Sequence, residues 1–122
     1  MRFMTKRIYE LPRPSDGTRV LIDRLWPRGL SKADAAIDQW AKDLAPSHEL
    51  RRWFAHEPER FDTFIENYHA ELAENAETVA TWLKAWKADR HETITLVYAT
   101  RDDRPHHAPV LRIYLQKQSE AG

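Results

Sequence analysis

Two strand-like runs lie far apart in this chain with helical periodicity between them, and no other feature limits the fold as much. "TRVLIDRL" (18–25) is β-branched and near-continuously apolar in its first half, and "ETITLVYAT" (92–100) repeats the pattern. A long helical connection between two such strands permits a parallel crossover. The expected architecture is α/β: a small three-layer domain with a mixed or mainly parallel sheet flanked by helices.

The intervening segment divides into helices by its caps and breakers. Ser31 is placed to N-cap a helix over 32–44, in which Ile37, Trp40, Ala41 and Leu44 fall at i, i+3, i+4, i+7. Pro46 breaks it, and Ser47 then caps a short helix carrying Leu50, Trp53 and Phe54. Pro58 sits near the start of a third, where its missing N–H does little harm. Phe61, Phe64, Ile65, Tyr68 and Leu72 form an amphipathic stripe that resumes at Val79, Trp82, Leu83 and Trp86. A break near Asn75 is expected, because ~30 residues is long for a globular helix. A last helix, about 107–118, turns Leu111, Tyr114 and Leu115 inward. Ahead of all this, "KRIYEL" (6–11) reads as a short strand and "PRPSDG" (12–17) as a turn. The order is β-β-α-α-α-α-β-α, and 122 residues make one domain, 1–122.

Charge and composition remove several classes of function. With 42% hydrophobic and 31% charged residues the chain reads as a folded soluble domain. Its 19 basic and 19 acidic residues cancel, which argues against non-specific nucleic-acid binding, since that needs basic excess. The balance is uneven along the chain. Residues 1–32 hold eight Lys/Arg against three Asp/Glu, and residues 33–92 hold seven against thirteen. There is no cysteine, so disulfides, thiolate nucleophiles and Cys-type zinc sites are out. The first residues lack the apolar core of a signal peptide, and no apolar run approaches the ~20 residues of a membrane span, so a cytoplasmic protein is expected.

Glycine occurs only at 17, 29 and 122, so neither a dinucleotide fingerprint nor a P-loop can be written. His-Glu pairs start at His48, His56 and His91, but Arg52, Arg60 and Thr95 stand where the second metalloprotease histidine would be. No G-x-S-x-G elbow is present, and no motif supports a triad on Ser47.

Two segments carry the chemistry that remains. In α/β domains ligands bind at the carboxyl ends of strands. Both strands here empty into charged loops, "DRLWPRG" and "RDDRPHHA". Arg24, Arg28 and Arg101 brought together there would favour phosphate or carboxylate. Asp23 would orient an arginine or take a proton, His107 at a helix start would act as a neutral acid/base, and Trp26 would offer a flat wall to a ring. The bland alternatives are a structural Asp–Arg pair, a core Trp26 and a helix-capping histidine. His56, between two helices, caps one of them or joins the site; for Arg51 and Arg52 surface ion pairs are the default, with room for one of the two to reach the cleft. His106 and His107 with Asp102 and Asp103 raise a metal site, but adjacent histidines project in different directions and no metal ligand is assigned.

"RVLIDRLWPRGLSK", "WAKDLAPSHELRRWFAHEPERFDTFIENYHAEL" and "TLVYATRDDRPHHAPVLRIYL" together resemble the YeaO-like branch of the domain-of-unknown-function family 488, over roughly Lys6 to Leu115. The resemblance implies a small bacterial-type cytosolic α/β protein. Asp23, Arg24, Trp26, Pro27, Arg28 and Gly29 match the family's first motif, Lys42, Ser47 and Trp53 the second, and His107-Ala108 the third. The chain departs from the pattern at His106, where relatives carry a small amide, and it has only the 12–17 loop where longer relatives carry a helix. The direction of "KRIYEL" is therefore open.

The expected ligand-binding set is Arg24, Trp26, Arg28, Ser47 and Arg101, with Asp23 and His107 handling protons and the cofactor unassigned. Three readings stand together. The first is an enzyme acting on a small phosphorylated or nucleotide-like ligand. The second is a non-catalytic module for nucleotides or nucleic-acid ends, and the third is an interaction domain whose aromatics form a homodimer face.

Overall fold

The computed structural model describes residues 1–90 and 92–121; His91, which opens one of the His-Glu pairs, and Gly122 lie outside them. The two strongest strands pair in parallel at the middle of a sheet, β2 (Thr18–Leu21) against β4 (Thr93–Tyr98), with Val20 opposite Leu96. Strand β1 (Arg2–Arg7) lies beside β4 and β3 (Gln39–Trp40) beside β2, giving the order β1-β4-β2-β3. Every pairing is parallel.

Continuous apolar runs follow from burial on both faces. Val20, Ile22, Ile94, Leu96 and Tyr98 enter the main core with side chains of α2 (His48–Phe54), α3 (Phe61–Glu74), α4 (Ala76–Ala88) and α5 (His107–Ala121). The alternate residues Leu21 and Val97 join Ile8 and Ala35 in a smaller cluster on the other face, covered by Trp26, Leu30, Ile37 and Trp40. The third layer is thus thin: the single turn of α1 (Lys32–Ala35) and the loops around it.

Ser31 and Ser47 cap α1 and α2 as expected, each accepting a backbone N–H three residues on. The long helical stripe breaks at Asn75 between α3 and α4. The helix over 32–44 is corrected. Ala36 adopts φ 49, and the Asp38 carboxylate then accepts the Arg19 N–H at 2.8 Å. The chain pairs with β2 as β3 before a 3₁₀ turn at Lys42–Leu44. The apolar spacing matched a helix, but Ile37 and Trp40 serve one face of the sheet while Ala41 and Leu44 serve the other.

The first strand also moves, from 6–11 to Arg2–Arg7. It ends where the Glu10 carboxylate and N–H bond the backbone N–H and carbonyl of Arg7. The 12–17 turn is pinned through buried Asp16, whose carboxylate takes Lys6 Nζ, the Arg13 N–H and Arg19 Nη1, the last at 2.7 Å.

Candidate functional site

All four strands point the same way, so the segments that leave them meet at one edge of the sheet. There they enclose a cleft of about 690 Å³. Tyr9 follows β1, Asp23 to Arg28 follow β2, Ala45, Pro46, Arg51 and Arg52 follow β3, and Ala99, Thr100 and His107 follow β4. This is the ligand-binding edge of parallel α/β sheets.

Asp23 ties two of these exits together. Its Oδ2 accepts the Ala99 N–H at 2.9 Å, and its carbonyl accepts the Trp40 indole N–H at 2.7 Å. Oδ1 is buried without a hydrogen-bond partner, the one such side-chain N or O atom among the described residues. Burial raises the acid from 3.8 to about 6, against the pull of the Ala99 N–H and the Arg51 charge. Asp23 is therefore mostly ionised at neutral pH.

His107 opens α5 beside it, with Nε2 3.4 Å from Asp23 Oδ1 and 3.0 Å from the Ile22 carbonyl. A carbonyl only accepts, so the proton sits on Nε2 and Nδ1 keeps its lone pair. Burial lowers the imidazole from 6.5 to about 4, with the Ile22 bond opposing, so the ring is neutral at pH 7.

The arginines separate into two kinds. Arg24 lines the cleft but directs Nε to the Pro46 carbonyl at 3.2 Å and Nη2 to the Ala45 carbonyl at 3.3 Å. It works first as a tether between the β2 exit and the loop before α2. Arg28, Arg51 and Arg52 also line the cleft and form no ion pair among the described residues. The Arg28 carbonyl accepts the Tyr9 hydroxyl at 3.1 Å. Arg101 is outside: it is exposed, pairs with Asp103 at 2.8 Å, and does not line the cleft.

The other expected residues split as well. Trp26 lines the cleft, yet its indole N–H donates to the Leu30 carbonyl at 2.7 Å and its ring meets Trp40 edge-on at 5.4 Å. It is both wall and packing. Ser47 lies outside the lining; its hydroxyl donates to Glu71 Oε2 at 2.6 Å while accepting the Leu50 N–H. His56 does reach the cleft, carried there by the left-handed residues Ala55 and His56 that end α2, with Nδ1 2.9 Å from the Pro105 carbonyl.

His106 belongs to a separate cluster. Its ring lies tilted against Tyr98 with centroids 4.6 Å apart, and Asp102 Oδ1 receives the Tyr98 hydroxyl at 2.5 Å with His106 Nε2 at 3.3 Å. His106 and His107 thus point to different partners, and among the described residues no three His, Asp or Glu side chains gather as metal ligands. Sequence reasoning left Arg51 and Arg52 between surface and cleft and passed over Tyr9 and Thr100.

No described helix is long and apolar enough to cross a membrane. The model of the inactive DUF488-N3 subclade matches residues 2–122. An uncharacterized protein of Mycobacterium tuberculosis strain H37Rv, Rv3073c, is 44% identical over 110 residues, covering 90% of each chain. The uncharacterized protein YeaO of Escherichia coli K12 is 40% identical over 116 residues, covering 95% of this chain and 98% of that one. No solved structure matches. The chain therefore belongs to the DUF488 family, in the group described as the inactive DUF488-N3 subclade.

Proposed function

We propose that this protein binds a small phosphorylated ligand in the cleft without transforming it. The observation that carries the reading is the set Arg28, Arg51 and Arg52, which line one cleft and form no salt bridge among the described residues, although Asp23 feels the Arg51 charge. Guanidinium groups free of salt bridges around a concavity offer planar forks of N–H donors to the several acceptor oxygens of a phosphate. The cleft volume of about 690 Å³ suits a small-molecule ligand. The subclade's description as inactive favours binding over turnover.

The test is a thermal-shift and calorimetric titration with inorganic phosphate, sulfate, sugar phosphates and nucleotides. A ligand at a hundred times its Kd adds about 2.7 kcal/mol of stability. The expected result is an upward shift with phosphate monoesters that is lost in Arg51→Ala and Arg52→Ala and kept in Arg101→Ala. Equal shifts in wild type and the cleft variants would sink the reading. An enzyme remains the second reading, because Asp23 at about 6 lies where general acid–base groups operate. Release of inorganic phosphate or any other product from a bound monoester, abolished in Asp23→Asn, would establish it.

A further inference from the structure

The cleft has donors at its rim and acceptors at its floor, and this division says what the ligand carries besides phosphate. Resting on the anion-site reading, we propose that Asp23 and His107 select phosphorylated polyols, each taking a hydrogen bond from a different ligand hydroxyl while the rim arginines hold the phosphate.

Three observations converge. Asp23 Oδ1 is buried and unpartnered, although a hidden polar atom left without a hydrogen bond is costly and most native ones are paired. His107 does not relieve it, since its Nε2 proton is directed to the nearer Ile22 carbonyl, at 3.0 Å against 3.4 Å for Oδ1. The same bond leaves His107 Nδ1 as a second acceptor, with no hydrogen-bond partner among the described residues. Both residues line the cleft. The terminal torsion of an aspartate is soft, so a small turn of the carboxylate presents Oδ1 to an incoming group.

A ligand made only of phosphate fits this floor badly. Its charged oxygens would approach a carboxylate and an imidazole lone pair, and any P–OH proton it gave to the floor would still leave phosphate charge against carboxylate charge. A hydroxyl between phosphate and carboxylate donates to Asp23 Oδ1, separates the two negative groups and satisfies the orphaned oxygen, and a second hydroxyl can donate to His107 Nδ1. Hydrogen bonds to a charged acceptor are worth roughly a ten- to hundredfold in affinity.

The experiment compares ribose 5-phosphate with butyl phosphate, which has a phosphate monoester and no hydroxyl, by calorimetry at neutral pH on the whole chain. Wild type is expected to prefer ribose 5-phosphate by at least roughly tenfold. In Asp23→Asn the preference collapses, with butyl phosphate binding retained or strengthened as the floor loses its charge. Equal affinity for the two ligands in wild type overturns the proposal and leaves the anion site standing. Binding of neither overturns both. Persistence of the preference in Asp23→Asn overturns the role given to Asp23. The wild-type comparison decides the matter alone if the variant does not fold.

Discussion

Replacing Asp23 with Asn should change how stability depends on pH more than it changes stability at any one pH. The buried carboxyl is raised from 3.8 to about 6, so the folded state takes up a proton before the unfolded one. Its stabilising share is full below 3.8 and is lost as pH rises through about 6. At about 1.4 kcal/mol per pH unit, that interval is worth about 3 kcal/mol. His107 runs the other way. Lowered from 6.5 to about 4, it contributes fully above 6.5 and loses its share as pH falls through about 4, again about 3 kcal/mol. In wild type the two nearly cancel between pH 6 and 4. In Asp23→Asn only the histidine slope remains, so the variant should lose about 3 kcal/mol relative to wild type between pH 7 and pH 4. Urea unfolding followed by tryptophan fluorescence at several pH values measures this, and differencing against wild type removes the carboxylates the two share. Parallel curves for the two proteins would refute the reasoning, because Asp23 would then titrate at its ordinary value in the folded state.

Gly17→Ala should cost roughly 3 kcal/mol, because a Cβ at φ +65 would stand 2.4 Å from the Thr93 carbonyl oxygen; calorimetry should show a melting point lower by on the order of 10 °C. A loss under about 0.5 kcal/mol would mean that β4 yields there. Ser47→Ala should lose about 1–2 kcal/mol through the α2 cap and the Glu71 bond, with phosphate-ester affinity unchanged. Weaker binding at unaltered stability would return Ser47 to the ligand set.

Much of the fold was legible because the strongest local signals agree with the tertiary structure. The continuous runs of β2 and β4, the Ser31 and Ser47 caps and the Asn75 break each have a cause within a few residues. Strand β3 was hidden because a two-residue strand has no periodicity, and its formation depends on backbone groups of β2 about twenty positions away. The site was half legible for a similar reason. Asp23, Arg24, Trp26 and Arg28 sit directly on a strand exit, whereas the pairing of Arg101 with Asp103 and the spending of Arg24 on two carbonyls are contacts that spacing does not encode. Arg51 and Arg52 reach the cleft only because β3 redirects the chain into α2.

The protonation of the floor bears on whether this cleft does chemistry at all. Acid–base catalysis of group transfer needs one group to give a proton and another to take it, with both poised near the working pH. At neutral pH Asp23 is ionised and His107 is neutral with its only proton committed to Ile22, so both are acceptors. The donors at the rim are guanidinium groups, which do not release protons in this range. No cysteine is present, and the Ser47 hydroxyl is occupied by Glu71 outside the cleft. His56, Tyr9 and Thr100 are the other proton-bearing side chains of the lining; Asp23 and His107 in these states can orient a ligand hydroxyl but deliver no proton to a leaving group. Below pH 6 the Asp23 carboxyl gains one, and the same floor then offers a donor beside an acceptor. If the chain turns over any phosphate ester, it should therefore do so faster on the acid side of neutrality, and a rate that does not change between about pH 7.5 and about pH 5.5 would refute a part for Asp23 in it.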